Sequence, residues 1–157
     1  MRKIPDQAID LIIKSEGWKA EPYYDTNNIP TIGYGTTAYP NGKPVSINDS
    51  KITKSDAEIY LIHSVQYVAN TIEKYLKKIG LELNDDQFSA LISFGYNLGT
   101  APIVGKMRSM NSALLSKDFN KIANAFELYV YDKRKVKLAG LVARRKQEKN
   151  LFLKGIL

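Results

Sequence analysis

The stretch S-E-G-W-K-A-E-P-Y-Y-D-T-N-N-I-P-T-I-G-Y-G-T-T, residues 15–37, decides how the rest of the chain is interpreted. An apolar-periodic segment runs into Glu16, and Gly17 predicts that a helix ends there. Aromatic and β-branched residues follow, and the turn signal D-T-N-N at residues 25–28 interrupts them. The segment P-T-I-G then predicts a returning strand. We therefore expect a short helix followed by a small antiparallel hairpin.

Two acidic residues and one threonine of this stretch are expected to face one cleft. Glu16 would stand at the helix exit, Asp25 near the hairpin tip and Thr31 on the returning strand. The dipole at a helix C-terminus disfavours a negative charge, so it favours a protonated Glu16. A protonated acid and an ionised carboxylate suit the hydrolysis of a glycosidic bond. Because carboxylates are common, the pattern alone also fits a solvated glutamate and an ordinary turn aspartate.

The order and spacing of these three residues favour a catalytic role over the ordinary one. Glu16, eight residues, Asp25, five residues and Thr31, followed by I-G-Y-G, resemble the catalytic segment of phage-type lysozymes, glycoside hydrolase family 24. The resemblance implies an endolysin, a muramidase that hydrolyses the β-1,4 bond between N-acetylmuramic acid and N-acetylglucosamine in bacterial peptidoglycan. It implies Glu16 as the general acid, with Asp25 and Thr31 positioning the attacking water. It also implies inversion, which needs carboxyl groups about 6.5–9.5 Å apart.

A second segment, Q-F-S-A-L-I-S-F-G-Y-N-L-G at residues 87–99, predicts a buried helix with a polar cap before it and a glycine stop. It also resembles the second signature of the same family, in which an aromatic–asparagine pair lines the sugar cleft. An aromatic face beside an amide suits a saccharide. The resemblance therefore implies Tyr96 and Asn97 as substrate-binding residues. Ser93, one turn earlier, and Thr37, after the G-Y-G, are further binding candidates.

One position departs from the family pattern. Many members carry histidine directly after the G-x-G, where this chain has Thr36. That histidine usually makes a structural ion pair, so its replacement concerns local stability more than catalysis. The single histidine of the chain, His63, has no other metal-ligating side chain near it in sequence. We expect His63 to be structural and distant from the cleft.

The fold class expected is α+β: a mostly helical, lysozyme-like fold in which a long helix joins a small antiparallel β-sheet lobe to a helical lobe. Thr53 and Asp56 form a capping pattern, and apolar residues then recur every three to four positions until Gly80. A helix of about 25 residues is roughly 38 Å long, enough to connect two lobes. One domain, 1–157, is expected, divided into a β-containing lobe at 15–52, a connecting helix at 53–80 and a helical lobe at 81–157, with 1–14 packed on the last.

The C-terminal segment 133–157 is strongly basic, with nine basic residues and one acidic residue, Glu148. Its run G-L-V-A-R-R-K-Q-E-K-N-L-F-L resembles the terminal helix of the same lysozymes. That resemblance implies a helix packed against the N-terminal helix, with Arg144 or Arg145 beside Glu16; the spacing does not choose between the two. The apolar side of this helix is predicted to comprise Leu141, Val142, Leu151 and Phe152.

Composition limits the partners and the place of action. The formal net charge is +7, which predicts attraction to nucleic acid, anionic lipid or the bacterial envelope. The chain has no cysteine, its first residues do not form a signal peptide, and no run approaches the roughly 20 apolar residues of a membrane span. We expect synthesis in the host cytoplasm and action on the cell wall after release by a separate permeabilising protein.

Two other classes of function remain open at this point. One is a basic protein that binds a membrane or nucleic acid, and the other is a lysozyme fold that binds glycan without cutting it. No nucleic-acid-binding motif is present, so peptidoglycan glycan strands are the expected partner. Contact with an anionic membrane through the basic C-terminal helix stays open. Neither a metal nor a cofactor is expected, and the protein is expected to be a monomer.

Overall fold

Seven helices and two strands form the regular structure of residues 1–156, the part of the chain that this computed structural model describes. The elements in chain order are α1 (Asp6–Glu16), β1 (Lys19–Tyr24), β2 (Pro30–Gly33), α2 (Lys54–Ile79), α3 (Asp85–Leu98), α4 (Ala101–Val104), α5 (Ser109–Ser116), α6 (Phe119–Phe126) and α7 (Ala139–Lys154). The predicted α+β class, mostly helical with a small antiparallel sheet, is confirmed.

The β-hairpin forms because its turn satisfies its own backbone groups. Strands β1 and β2 pair antiparallel, with Tyr23 opposite Thr31, and the register is irregular nearer the start of β1. Asp25 Oδ1 accepts hydrogen bonds from the backbone N–H groups of Asn27 at 2.8 Å and Ile29 at 2.9 Å. Asn28 takes a left-handed backbone with φ +61°, which asparagine tolerates. The turn therefore fixes the position of the Asp25 carboxylate.

The long helix α2 begins and ends where the sequence predicts. The Thr53 hydroxyl accepts from the backbone N–H of Asp56, and the Asp56 carboxylate accepts from the Thr53 N–H, so the capping box is complete. Gly80 ends the helix in a left-handed conformation. Helix α2 contacts both β2 and α3. The division of the chain into lobes at 15–52, 53–80 and 81–157 stays a prediction.

Helix α3 forms the centre of the helical part of the molecule. Residues 87–95 of this helix are all buried, and α3 packs against α1, α2 and α7. Its aromatic residue Phe94 meets the rings of Phe126 and Tyr129 edge-on. Because α3 is held on several sides, the side chains at its C-terminal end have a fixed frame. No helix within residues 1–156 is both long and apolar enough to span a bilayer.

The packing of helix α7 differs in part from the prediction. It packs chiefly against α3 and α6, and it meets α1 through the ion pair between Arg144 and Glu16. Val142, predicted on the apolar side, is exposed, and Leu141 and Leu151 are only partly buried. Phe152 is buried as predicted, together with Arg144, Arg145 and Glu148. The three charged residues were not predicted on the buried face because apolar character was used to find that face, whereas here a group of paired charges is buried.

Candidate active site

One cavity of about 1170 Å³ brings together most of the predicted site residues. Its walls combine the end of α1, the β-hairpin, the segment after β2, the middle of α2 and the end of α3. The predicted residues on these walls are Glu16, Asp25, Thr31, Thr37, Tyr96 and Asn97. The expected meeting of the helix exit, the hairpin tip and the returning strand in one cleft is therefore present in the structure.

The Glu16 carboxyl group lies between Arg144 and Gly35. Gly17 ends α1 with φ +70°, so Glu16 is the last helical residue. Oε1 lies 2.5 Å from Arg144 Nη1, in an ion pair whose side chains are 19% and 7% exposed. On the other side, Gly35 has φ +84°, a conformation that favours glycine, and a Cβ there would lie 2.9 Å from Oε2, so a larger residue would displace the carboxyl group. The sequence left the arginine partner open between two residues, and in the structure it is Arg144.

Two features of opposite sign lie beside the Glu16 carboxyl group. Glu16 is the last residue of α1, where the helix dipole presents its negative end. The Arg144 guanidinium, a cation, lies 2.5 Å from Oε1. The helix end was predicted from the sequence, whereas the cation was left open between Arg144 and Arg145.

Asp25 and Thr31 each leave part of their side chain available to a ligand. Asp25 Oδ1 is used by the turn, and Oδ2 has no hydrogen-bond partner within residues 1–156. Thr31 is buried, and its hydroxyl donates to the backbone oxygen of Ile29 at 2.9 Å. The Thr31 oxygen can therefore still accept a hydrogen bond from a water molecule.

Tyr23 is a site residue that the sequence prediction missed. Its ring lies on the cavity wall. Burial raises the pKa of Tyr23, and the charges of Glu16 and Asp25 raise it further. Tyr23 therefore shares the cavity with both carboxylates, Glu16 and Asp25. Its register position opposite Thr31 in the hairpin was the signal in the sequence that could have found it.

The binding candidates on α3 divide into two groups. Tyr96 and Asn97 line the cavity. The Tyr96 hydroxyl donates to the backbone oxygen of Tyr34 at 2.7 Å, and burial raises the Tyr96 pKa, with the Glu16 carboxylate raising it further. Ser93 does not line this cavity: it is fully buried, and its hydroxyl donates to Glu148 at 2.8 Å. Ser93 lies one turn before Asn97 on the same face of α3, and at that level of the helix the face is covered by α7.

Behind the cleft lies a buried group of charges contributed by α7. Glu148 Oε1 accepts from Arg144 Nε at 3.3 Å and from Arg145 Nη2 at 3.1 Å. Arg145 Nε lies 2.8 Å from Glu148 Oε2, as an ion pair without hydrogen-bond geometry. Burial raises the pKa of Glu148, and the two arginines oppose that shift. Glu148 and Arg145 therefore hold Arg144, the ion-pair partner of Glu16, on the side away from the cleft.

Two further residues, His63 and Thr36, line the wall of the cavity. The sequence prediction misplaced His63 and did not determine the surroundings of Thr36. His63, expected to be structural and distant from the cleft, is exposed and lines it together with Tyr67. The exposed face of α2 carries both, and the periodicity used to find the buried face gave no reason to place them on the cleft. Thr36, at the family's histidine position, is buried, and its hydroxyl has no hydrogen-bond partner among the described residues.

The helical fold, the hairpin and a cleft with an acid at a helix exit define the class of lysozyme-fold proteins. Residues 13–148 match the Phage lysozyme family. The chain is 34% identical to the endolysin of Bacillus phage B103 over 97% of its length, although it spans only 54% of that protein. It is 30% identical to the endolysin of Salmonella phage P22, covering 98% of this chain and 99% of that protein.

Solved structures agree with these sequence relatives. An endolysin from Escherichia coli O157:H7 phage FAHEc1 superposes with a TM-score of 0.84 at 30% identity, covering 97% of this chain and 94% of that one. A mutant of P22 lysozyme superposes with a TM-score of 0.77 at 28% identity, covering 98% and 99%. The chain belongs to the phage lysozyme family. Lysozymes of this family are glycosidases that act on peptidoglycan.

Proposed function

We propose that this protein is an endolysin of the muramidase type, which hydrolyses the β-1,4 bond between N-acetylmuramic acid and N-acetylglucosamine in peptidoglycan with inversion. The observation that carries the proposal is that Glu16 and Asp25 lie on the walls of one cavity. Membership of the phage lysozyme family supports the substrate class. The net charge of +7 is consistent with attraction to an anionic envelope.

The proposed reaction divides the chemistry between the two carboxyl groups. Protonated Glu16 donates its proton to the leaving glycosidic oxygen. The Glu16 carboxylate that results is stabilised by Arg144, 2.5 Å away. Asp25, through its free Oδ2, accepts a hydrogen bond from the attacking water and takes its proton as the water adds to the anomeric carbon. The Thr31 oxygen accepts from the same water and orients it.

The walls of the cavity supply surfaces of the kind that a glycan strand needs. Tyr96, whose hydroxyl is fixed to the Tyr34 backbone, presents an aromatic edge of constant position. Asn97 and Thr37 add polar groups on the same cavity. We assign these three residues to substrate binding. Ser93 is assigned instead to supporting Glu148, since its hydroxyl is engaged there.

The substitution Glu16→Gln tests the proposal. It removes the transferable proton but keeps the size and hydrogen-bonding capacity of the side chain, so turnover of purified peptidoglycan should fall to background. Glu21→Gln, on an exposed position of β1, is the matched control and should keep wild-type turnover. Circular dichroism should show both variants folded. Full activity of a folded Glu16→Gln variant would exclude Glu16 as the general acid.

Contact with an anionic membrane through the C-terminal segment is a second, weaker candidate. Lys133, Arg134, Lys135 and Lys137 are exposed and favour it electrostatically. Phe152 and both arginines of α7 are buried against the rest of the protein, so Phe152 is not free to enter a bilayer. Leu157 lies outside the described residues. We therefore propose peptidoglycan as the substrate and treat membrane contact as an accessory property of the exposed basic segment 133–137.

That accessory property is tested by comparing the whole protein with a synthetic peptide of residues 133–157 on anionic vesicles. The peptide is free to turn its apolar side to the lipid, whereas the folded protein is not. If neither the peptide nor the protein causes leakage, the proposed membrane contact is wrong. The proposed place of action remains the cell wall, reached from the host cytoplasm through a separate permeabilising protein.

A further inference from the structure

The buried Arg145 side chain reaches the cleft wall through Asn97. Arg145 Nη2 lies 2.8 Å from Asn97 Oδ1. A guanidinium group has donors but no acceptor, so the Asn97 atom that faces it must be the oxygen. The amide nitrogen is the atom that remains for the cavity that Asn97 lines. Within residues 1–156 this nitrogen donates to no other group, so both of its hydrogens are available to a ligand.

Arg145 is itself held in one position from several sides. It is fully buried, and its guanidinium carbon lies 4.9 Å from the centre of the Phe94 ring. Two of its nitrogens lie 2.8 Å and 3.1 Å from the Glu148 carboxylate. Burial lowers the pKa of Arg145 to about 10, so the group is still a cation at neutral pH and still lacks an acceptor. A fixed, donor-only partner leaves the Asn97 amide a single favourable orientation.

We propose that Arg145 is a positioning residue that orients the Asn97 amide so that its NH₂ group faces the cleft and donates to an oxygen acceptor of the bound glycan. The inference rests on the proposed function and adds the polarity of one subsite. The acceptors that a glycan strand offers are the carbonyl oxygens of its N-acetyl groups and the oxygens of its hydroxyl groups. The subsite would bind a carbonyl or hydroxyl oxygen in preference to a group that can only donate a hydrogen bond.

Asn97→Asp and Asn97→Leu form the first test, with KM and kcat measured on soluble peptidoglycan fragments. Asn97→Leu removes the donor, and loss of one hydrogen bond should raise KM about two- to tenfold. Asn97→Asp keeps an oxygen for Arg145 but places a second acceptor opposite the substrate acceptor. Its KM should therefore rise at least as much, while its melting temperature stays at or above the wild-type value. A wild-type KM for Asn97→Asp would overturn the assigned polarity.

The role of Arg145 needs a test that a purely structural residue would not pass. Arg145→Met alone would leave Glu148 buried without its partner, so it is combined with Glu148→Leu, which removes both charges together. The double substitution should raise KM to the level of Asn97→Leu; KM is the readout, because Glu148 is also a partner of Arg144 and its loss affects kcat through Glu16. Added to Asn97→Leu, it should raise KM no further. A further, multiplicative rise would show that Arg145 does not act through Asn97.

The source of the acceptor is distinguished with fragments from which N-acetyl groups have been removed. If the N-acetyl carbonyl is the partner, Asn97→Leu and wild type should have the same KM on these fragments. If a hydroxyl oxygen is the partner, the difference in KM should persist, and both results support a donor at Asn97. Wild-type protein that cleaves no fragment would overturn the proposed function together with this inference. Active wild type with an unchanged KM in every variant would overturn this inference alone.

Discussion

At the level of single residues, the site depends on four charges that balance one another. Arg144 bridges the carboxylates of Glu16 and Glu148, and Arg145 is paired with Glu148 from the other side. With both acids ionised, the group carries two positive and two negative charges. Burial of such a group is tolerated because each charge has a partner, and removal of one partner leaves another charge uncompensated.

This balance predicts the stability of Glu148 variants. Glu148→Leu alone should lower the free energy of unfolding by about 3 to 5 kcal/mol, since Arg145 then remains buried without its counter-ion. Combining it with Arg145→Met should recover most of that loss, since no buried charge of the pair is left over. Urea denaturation of the three proteins measures the difference. A single variant as stable as the double one would contradict the pairing.

For single residues, some predictions from the sequence agree with the structure and others do not. The identity, order and spacing of Glu16, Asp25 and Thr31 were sufficient to place all three on one cavity. Ser93 does not line the cavity, because α7 covers its part of α3, and a resemblance within α3 does not show which helix covers it. The burial of Arg145 was not predictable from its neighbours, because a basic residue in a basic run is normally exposed.

At the level of elements, the helix boundaries follow from capping chemistry. Helix α2 starts where the Thr53 hydroxyl and the Asp56 carboxylate satisfy each other's backbone N–H groups. Both residues are close in sequence, so the signal is local and sequence reasoning finds it. The packing partners of α7 depend instead on contacts with α3 and α6, which lie far from it along the chain. Local patterns do not contain that information, which is why α3 and α6 were not predicted as its main partners. The predicted contact with α1 is limited to the Arg144–Glu16 ion pair.

The capping box makes a prediction for α2. Thr53→Ala should lower the free energy of unfolding by about 1 kcal/mol, because it leaves a backbone N–H of the first turn without a partner. Ser55→Ala is the control: its exposed hydroxyl makes no hydrogen bond in the described part of the chain, and the substitution should change stability little. Thermal unfolding of both variants gives the comparison. Equal effects of the two substitutions would contradict the cap.

The same element has a defined pH dependence. Hydrogen bonds from the Thr53 backbone and side chain lower the pKa of Asp56 in the folded state. A group whose folded pKa is depressed contributes stability above its unfolded pKa and loses it as the pH falls through the folded value. The stability difference between wild type and Asp56→Asn should therefore be constant near neutrality and shrink in acid. A difference that grows as the pH falls would contradict this assignment.

At the level of the whole molecule, charge and shape have separate roles. The net charge of +7 acts over a distance and raises the local concentration of protein at an anionic surface. The cleft acts only on the glycan that enters it. The fold could be predicted from the sequence because three separate segments carried the same family pattern in the right order. The volume of the cleft could not, because it depends on how five elements, α1, β1, β2, α2 and α3, pack together.

Salt dependence separates these two roles. As ionic strength rises, lysis of whole cells should weaken faster than cleavage of a short soluble glycan, because screening acts on the long-range attraction to the envelope. Both assays use the same wild-type preparation, so loss of folding at high salt would reduce both activities equally. Equal salt sensitivity of the two assays would count against electrostatic attraction as a contribution to lysis.

The arrangement of Glu16 and Asp25 on one cavity is tested most directly by the product of the reaction. Purified peptidoglycan is incubated with the protein, and the new reducing ends are identified chemically and by their anomeric form as they appear. An inverting muramidase should leave N-acetylmuramic acid at the new ends, released first as the α-anomer, since a β-linkage is cut with inversion. New ends of N-acetylglucosamine, or an initial β-anomer, would contradict it.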